Sequence, residues 1–337
     1  MSHVTLEGER QPLRILVSPQ AARQLDSRIA AVTGATGHEL VTPDAAGADT
    51  GAEVAFVSRD VTGLSTKHRV LPETQRFYDA MLASPGLRWV HIHSAGADRP
   101  IFGMLRERGV LVTTSSGANA GVVAQTALAG VLALARRFPQ LMAAQRAHRW
   151  EPLIGTGLPA DLEGQTATIV GWGAIGQTLG RLLAALGLKL VVVRQSAQAV
   201  ADNAEVVAYA DFHRVLPRTD WLILACPLTP VTRSLVDARA LALLPPSAHL
   251  VNVARGEVVD ETALVDALQD GRLAGAYLDV FAHEPLPPDS PLWDMANVIA
   301  TPHSAGFSDG NEERVARMFL DNLARWMRGE PLLRPAA

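Results

Sequence analysis

Residues 166–183 read TATIVGWGAIGQTLGRLL. A β-branched run ends in three glycines spaced G-x-G-x-x-G, and a helical pattern begins inside the second gap, so the stretch reads as strand, tight turn and helix. In that arrangement Gly171 permits the turn, Gly173 lets the backbone approach a pyrophosphate, and Gly176 allows the helix to pack closely on the strand. The N–H groups of Ala174 and Ile175, at the helix start, then point at phosphate oxygens. Two alternatives stand beside this reading: a bare glycine turn, and the similar loop of a methyltransferase binding S-adenosylmethionine. The glycines therefore specify a nucleotide-like ligand and leave its chemistry open.

The same rhythm extends in both directions. Downstream, apolar runs at 188–193, 221–225, 250–253 and 276–279 alternate with helical patterns, which predicts a doubly wound parallel sheet. Upstream, runs at 13–17, 54–57, 89–92 and 110–113 predict a second, smaller α/β module. Between them, residues 121–137 are apolar nearly all round, which predicts a long helix buried between two bodies at the module junction. After Thr301, DGNEERVARMFLDNLARWMRG forms one amphipathic helix suited to return the chain to the first module. A chain of 337 residues with 48% hydrophobic content has enough apolar material for two cores.

Composition also excludes partners. A formal net charge of −4 argues against nucleic acid, and no uncharged apolar run approaches the ~18 residues that span a bilayer. The N-terminal MSHVTLEGERQPLR lacks the apolar core of a secretion signal, and a lone cysteine, Cys226, suits a reducing cytoplasm and gives no cysteine-based metal cluster. A cytoplasmic protein without a bound metal is expected.

Chemistry-bearing residues follow the later strands, where open α/β sheets place their ligands. Arg255 ends an apolar run in NVARGEVVD, and its fork of donors matches a carboxylate, although a structural ion pair would also account for it. Glu284 lies five residues after Asp279 in LDVFAHEPLP, and His303 follows another apolar run in TPHSAG. A carboxylate beside an imidazole favours the imidazolium and makes a proton carrier. Taken alone, His303 would read as an ordinary structural histidine.

The ordered set GWGAIG, ACPLTPVTRSLVD, NVARGEVVDETAL, GAYLDVFAHEPLP and NVIATPHSAG resembles the D-isomer-specific 2-hydroxyacid dehydrogenases, particularly the glyoxylate and hydroxypyruvate reductases, over most of the chain. The resemblance implies a Rossmann-type dinucleotide domain at 118–303 and a smaller flavodoxin-like substrate domain made of 1–117 and 304–337, with catalysis in the cleft between them, and a homodimer. It implies an enzyme interconverting a small 2-keto acid and its D-2-hydroxy acid, with His303 as acid and base, Glu284 tuning it and Arg255 binding the carboxylate. Ala95 and Gly96, within Ser94-Ala95-Gly96-Ala97-Asp98, correspond to the substrate loop. Cys226, Pro227, Thr232, Val253, Ala254 and His303 correspond to dinucleotide contacts, and Asp279 to the contact with the nicotinamide carboxamide. Gln125 departs from the glutamate common at its position in the interdomain helix.

Two positions refine this picture. NAD enzymes usually present an acidic residue at the end of the strand after the glycine loop; here LKLVVVRQSAQ supplies Arg194, Gln195 and Ser196, while Asp202 and Glu205 come too late. The segment resembles that of some NADP-using glyoxylate reductases, so NADP(H) is the expected cofactor, with NAD(H) also possible and an Arg194 that merely stacks on adenine as the alternative. Trp150 resembles the tryptophan that glyoxylate and hydroxypyruvate reductases extend toward a partner's substrate pocket; an ordinary core or interface tryptophan is the alternative. A dinucleotide-sensing corepressor or scaffold on the same fold is the competing function, and retention of Arg255, Glu284 and His303 disfavours it. The substrate's side chain is set by loop geometry around Val57, Ser58, Arg59 and residues 94–97, which the sequence does not resolve.

Overall fold

The computed structural model describes residues 11–44, 48–155, 157–196, 198 and 204–336. The N-terminal residues 1–10, most of the stretch read above for a secretion signal, and Asp202 lie outside the described residues. The chain divides into two compact units, Met1–Ala118 with Asp309–Ala337, and Asn119–Ser308.

The first unit holds β1 (Leu13–Leu16), α1 (Pro19–Thr33), β2 (His38–Val41), β3 (Val54–Val57), α2 (Arg59–Thr62), α3 (Pro72–Ala83), β4 (Trp89–Ile92), α4 (Pro100–Glu107) and β5 (Leu111–Thr114). Its five strands lie in the order β2-β1-β3-β4-β5, all parallel. That is the flavodoxin-like order. Ser18 starts α1 by accepting the Ala21 N–H at 2.9 Å.

The second unit begins with α5 (Ala120–Ala135) and α6 (Phe138–Arg146), followed by β6 (Thr166–Val170), α7 (Ala174–Ala185), β7 (Lys189–Arg194), β8 (Glu205–Ala208), β9 (Trp221–Leu224), α8 (Ala238–Leu243), β10 (His249–Asn252), α9 (Glu261–Gln269), β11 (Gly275–Leu278) and β12 (Val298–Ala300). Seven parallel strands lie in the order β12-β11-β10-β9-β6-β7-β8, so the winding reverses between β6 and β9. A doubly wound sheet opens its ligand crevice at the carboxyl ends beside such a reversal. Successive residues feed opposite faces: Ile169 packs with Leu179, Leu183, Ile223 and Val251, whereas Val170 packs with Val193, Leu224 and Leu250. Each such large side chain contributes ~1.5–3 kcal/mol through burial.

The chain then returns to the first unit as α10 (Asn311–Met327). Phe319 stacks on Phe56 with centroids 4.5 Å apart and on Trp89 at 5.6 Å, and Arg28 of α1 holds Glu313 of α10 through two bonds of 2.9 and 3.1 Å. Beyond it the tail lies along the open edge of β5, where the Ala336 N–H donates to Val112 and the Thr114 N–H to Arg334.

Three strands were absent from the sequence reading as strands. β2, β8 and β12 lie at sheet edges, and among their side chains only Val207 is buried, so their apolar runs are shorter than those of the central strands. The junction helix also differs from expectation. α5 buries Val123, Ala124, Ala127, Val131 and Leu134 within its own unit, against the β11 and α7 side, while Gln125 and Ala129 are exposed. Alanines made it look apolar all round, yet an alanine tolerates a wet face at little cost. Among the described residues no single helix is long and apolar enough to cross a membrane, and no group of three His, Cys, Asp or Glu could hold a metal ion.

Candidate active site

The glycine turn is built by contact. Gly171 has φ +99°, and a Cβ on it would meet the Cys226 Cα at 2.6 Å and the Ala225 carbonyl at 2.7 Å, so the loops after β6 and β9 touch at the reversal point. A Cβ on Gly176 would lie 2.1 Å from the Gly171 carbonyl, which binds α7 to its own turn. Gly173 is different: beyond its immediate chain neighbours, nothing packs within 4 Å of a Cβ built there. Protein packing does not require glycine at that position, whereas a pyrophosphate lying against the start of α7 does, so the loop fits a dinucleotide.

The rest of the expected dinucleotide contacts sit around this turn in the same unit. Arg194 ends β7 opposite Ala208, with Gln195 and Ser196 exposed after it. Glu205 pairs in register with Val191, three residues back along the sheet or ~10 Å from that end, and its carboxylate is taken by Arg218. Cys226 is buried, which pushes its thiol up to about 12, so it is packing rather than a reactive group. The Thr232 hydroxyl donates to the Pro227 carbonyl at 2.7 Å and accepts from the Thr229 N–H at 2.8 Å, which shapes the turn after β9 from within. Val253 and Ala254 are buried after β10.

Arg255, Glu284 and His303 occupy three successive loops at the carboxyl ends of the same sheet. Buried Asn252 sets the first: its amide donates to the Arg255 carbonyl and its side-chain oxygen accepts from the Ala254 N–H. Gly256 then passes so close to the second loop that a Cβ there would lie 1.8 Å from the Phe281 carbonyl carbon. No side chain fits, and the contact fixes the Arg255 loop against the loop bearing Glu284. In that second loop the Phe281 N–H donates to Glu284 Oε1 at 3.2 Å, and Glu261 at the start of α9 accepts from the Ala282 N–H at 2.8 Å.

His303 Nδ1 lies 2.8 Å from Glu284 Oε2, with the glutamate side chain 12% exposed and the imidazole 48%. The carboxylate thus faces Nδ1, and Nε2 is the ring nitrogen directed elsewhere. His303 has φ +49°, a left-handed conformation that costs a non-glycine residue energy, and Asp279 holds it there. The Asp279 carbonyl accepts the His303 N–H, while its carboxylate accepts the Thr301 hydroxyl at 2.7 Å and the N–H groups of Ser304 and Ala305. Burial pushes the Asp279 carboxyl above the ordinary range, against the downward pull of those donors. Sequence reading linked Asp279 to the cofactor; here its carboxylate also shapes the histidine loop. Asn252 and Glu261, which secure the other two loops, were not anticipated, and the only trace in sequence was a polar residue interrupting the apolar run VNV.

A family profile described as the D-isomer specific 2-hydroxyacid dehydrogenase NAD binding domain matches residues 128–305. The chain belongs to the D-isomer-specific 2-hydroxyacid dehydrogenases. Within that family it is 34% identical over 252 residues to a glyoxylate reductase of Korarchaeum cryptofilum, covering 74% of this chain and 75% of that one. It is 34% identical over 280 residues to glyoxylate/hydroxypyruvate reductase B of Pectobacterium carotovorum, covering 82% and 87%. The crystal structure of a D-isomer specific 2-hydroxyacid dehydrogenase from Xanthobacter autotrophicus, in complex with NADPH and MES, superposes with a TM-score of 0.77 at 28% identity over 97% of this chain and 98% of that one. This D-2-hydroxyacid dehydrogenase is therefore an NAD(P)-dependent oxidoreductase built on two parallel-sheet α/β domains, and the methyltransferase alternative falls. Nothing in these relatives supports a sensing scaffold.

The other expected residues belong to other segments of the chain. Ala95, Gly96, Ala97 and Asp98 follow β4 in the first unit, where the Ser94 hydroxyl donates to the Gly96 carbonyl at 2.8 Å. Trp150 is 96% exposed, which removes the reading of it as a core side chain of its own chain.

Proposed function

We propose that this dehydrogenase reduces a small 2-keto acid, such as glyoxylate or hydroxypyruvate, to its D-2-hydroxy acid, with NADPH as the preferred cofactor. The observation that carries the reading is the 2.8 Å contact between His303 Nδ1 and Glu284, on the two loops that follow that of Arg255 along the sheet. The dinucleotide supplies the hydride when bound. Arg255 binds the substrate carboxylate through its fork of donors and so turns the keto carbon to one face. His303 Nε2 donates a proton to the keto oxygen as negative charge builds on it. Glu284 orients the ring through Nδ1–H and compensates the imidazolium charge; Asp279 keeps the loop in place. Ala95 and Gly96 contribute backbone N–H groups that bind the acid.

Two further assignments belong to this proposal. Arg194, with Gln195 and Ser196, binds the 2′-phosphate of NADPH, supported by the absence of an acidic residue at the β7 end and by the NADPH present in the Xanthobacter relative. A second copy of the chain covers the apolar residues exposed along 138–158, Phe138, Met142, Trp150, Ile154 and Leu158, giving a homodimer. Reduction assays over a panel of 2-keto acids with NADPH and NADH, read by cofactor absorbance, test the activity. Tight dinucleotide binding with no turnover of any acid would overturn it.

A further inference from the structure

The loop that carries His303 is mounted on α5 along its length, all within the second unit. Near the end of α5, Gly130 faces Tyr277 of β11, and a Cβ on that glycine would meet the Tyr277 ring at Cδ2 within 2.8 Å. Glycine is a poor helix-interior residue, and here it leaves room for an aromatic ring. One turn earlier the Thr126 hydroxyl lies 3.1 Å from both the Val122 carbonyl of its own helix and the Ala305 carbonyl of the histidine loop. At the start of the helix, Gly306 lies so close to Asn119 that a side chain there would run into the asparagine amide.

Tyr277 carries this mount to the beginning of the loop through its hydroxyl. The Tyr277 and Thr301 hydroxyl oxygens lie 2.9 Å apart, and Thr301 Oγ1 lies 2.7 Å from Asp279 Oδ1. An ionised carboxylate only accepts, so Thr301 gives its single hydrogen to Asp279 and its oxygen receives the hydrogen of Tyr277. Burial pushes the phenol pKa up, a rise that the Thr301 hydrogen bond opposes and the Asp279 carboxylate adds to, so the hydroxyl keeps a proton to donate. Hydrogen bonds in series polarise one another, and this series runs in one direction, from Tyr277 through Thr301 to Asp279. Asp279 Oδ1 also accepts the N–H groups of Ser304 and Ala305 at 2.9 and 3.1 Å. Residues on both sides of His303 are thereby held. Its φ of +49° needs that, because a strained backbone persists only where its surroundings impose it.

We propose that Tyr277 is a positioning residue for His303: its ring locks onto α5 at Gly130, and its hydroxyl, acting through Thr301 and Asp279, holds the histidine loop still for proton donation. This rests on the reading of His303 as the proton donor.

The test begins with Tyr277→Phe, which keeps the ring against Gly130 and deletes one hydroxyl. The single-turnover rate of cofactor oxidation, which reads the chemical step, should fall about three- to tenfold, with dinucleotide Kd and thermal midpoint near wild type, since a displaced acid costs rate rather than binding. Thr301→Val removes the middle link and should lower the rate at least as far. Adding Tyr277→Phe to it should then change little, because a broken series has no first link left to lose. Should Thr301→Val not fold, Thr301→Ser replaces it; the hydroxyl is kept, and Tyr277→Phe must still lower the rate in that background about as far as in wild type. A Tyr277→Phe enzyme with an unchanged rate, or losses that simply multiply in the double variant, overturns the role of Tyr277 and leaves His303 in place. An unchanged rate in His303→Ala overturns the proton-donor reading and this inference with it.

Discussion

The two sheets share one architecture and bury polarity in different places. In the first unit the polar groups run through the middle of the sheet: fully buried His91 places Nδ1 2.8 Å from Thr113 Oγ1 and Nε2 3.1 Å from Ser115, and the Trp89 indole donates to Thr113. In the second, the mid-sheet is apolar apart from the Thr168–Thr219 hydroxyl pair, and the larger buried polar side chains, Asn252 and Asp279, sit at or just past strand ends. A buried imidazole network in one sheet ties up stability; polar groups moved to the carboxyl ends of the other leave its core indifferent to what its loops carry. Substitutions at the second unit's strand ends are therefore expected to change chemistry, and substitutions or pH changes acting on the first unit's centre to change stability.

The largest test of that contrast is His303→Ala together with Arg255→Ala. Each should reduce kcat/KM for keto-acid reduction by about 10²–10⁴, with the thermal midpoint and dinucleotide affinity close to wild type. Arg255→Lys should recover little, because an ammonium lacks the fork. A parallel collapse of cofactor affinity would remove Arg255 from the substrate and place it on the pyrophosphate. Glu284→Gln keeps an acceptor opposite Nδ1 but deletes the charge, and should lower kcat for reduction by about tenfold or more with dinucleotide affinity unchanged; an unchanged kcat would separate the pair.

Acid should then divide the units. Burial holds His91 at about 3, below the ordinary 6.5, so the folded state keeps it neutral while the unfolded chain takes up a proton. That stability is present above pH 6.5 and drains away as pH falls toward 3, each tenfold difference in proton affinity between the folded and unfolded chain being worth about 1.4 kcal/mol. His93 acts in the same direction in the same unit. His249 in the second unit, lowered to about 4, adds a smaller loss there. Hydrogen exchange followed from pH 8 to pH 5 should show β4 and β5 losing protection before β6 and β9; the reverse order, or a uniform loss, would break the comparison.

Smaller effects sharpen it. Arg194→Asp should raise KM for NADPH at least about tenfold more than for NADH, since a carboxylate repels a 2′-phosphate but can accept from a ribose hydroxyl; equal changes would reduce Arg194 to a stacking surface. Trp150→Ala should change the mass measured by light scattering or the keto-acid preference while leaving each unit's unfolding within about 0.5 kcal/mol, as expected of a side chain exposed in its own chain.

How legible all this was depended on where each signal is written. Gly171, Gly173 and Gly176 are read directly because contiguous backbone performs the task. Buried central strands such as β6 and β10 show as apolar runs, while edge strands such as β2 and β8 do not, since the face that would carry the pattern is wet. Glu284 and His303 could be paired by resemblance, yet nothing in their spacing of nineteen residues states a 2.8 Å contact. Asp279 illustrates the limit: its place in a strand-end motif was visible, but its carboxylate grip on residues 301–305 exists only once two loops meet. Gly130 and Tyr277 lie far apart in sequence, and only folding sets the ring of one against the bare backbone of the other.

The return of the chain through α10 has a consequence for synthesis. Val315, Ala316, Phe319 and Leu323 belong to the same core as Leu13, Ile15, Val54 and Trp89, so β1, β3 and β4 wait for a helix translated after the whole of the second unit. With domains made at about 5–20 residues per second, that wait lasts on the order of tens of seconds. Through it, the face of β1, β3 and β4 that packs on α10 is covered by α1 alone, while the core clusters of the second unit are drawn entirely from its own residues and it is free to fold first. The expected order of assembly is thus the NAD-binding unit before the unit that holds both ends of the given sequence, opposite to the order in which their first described strands are made.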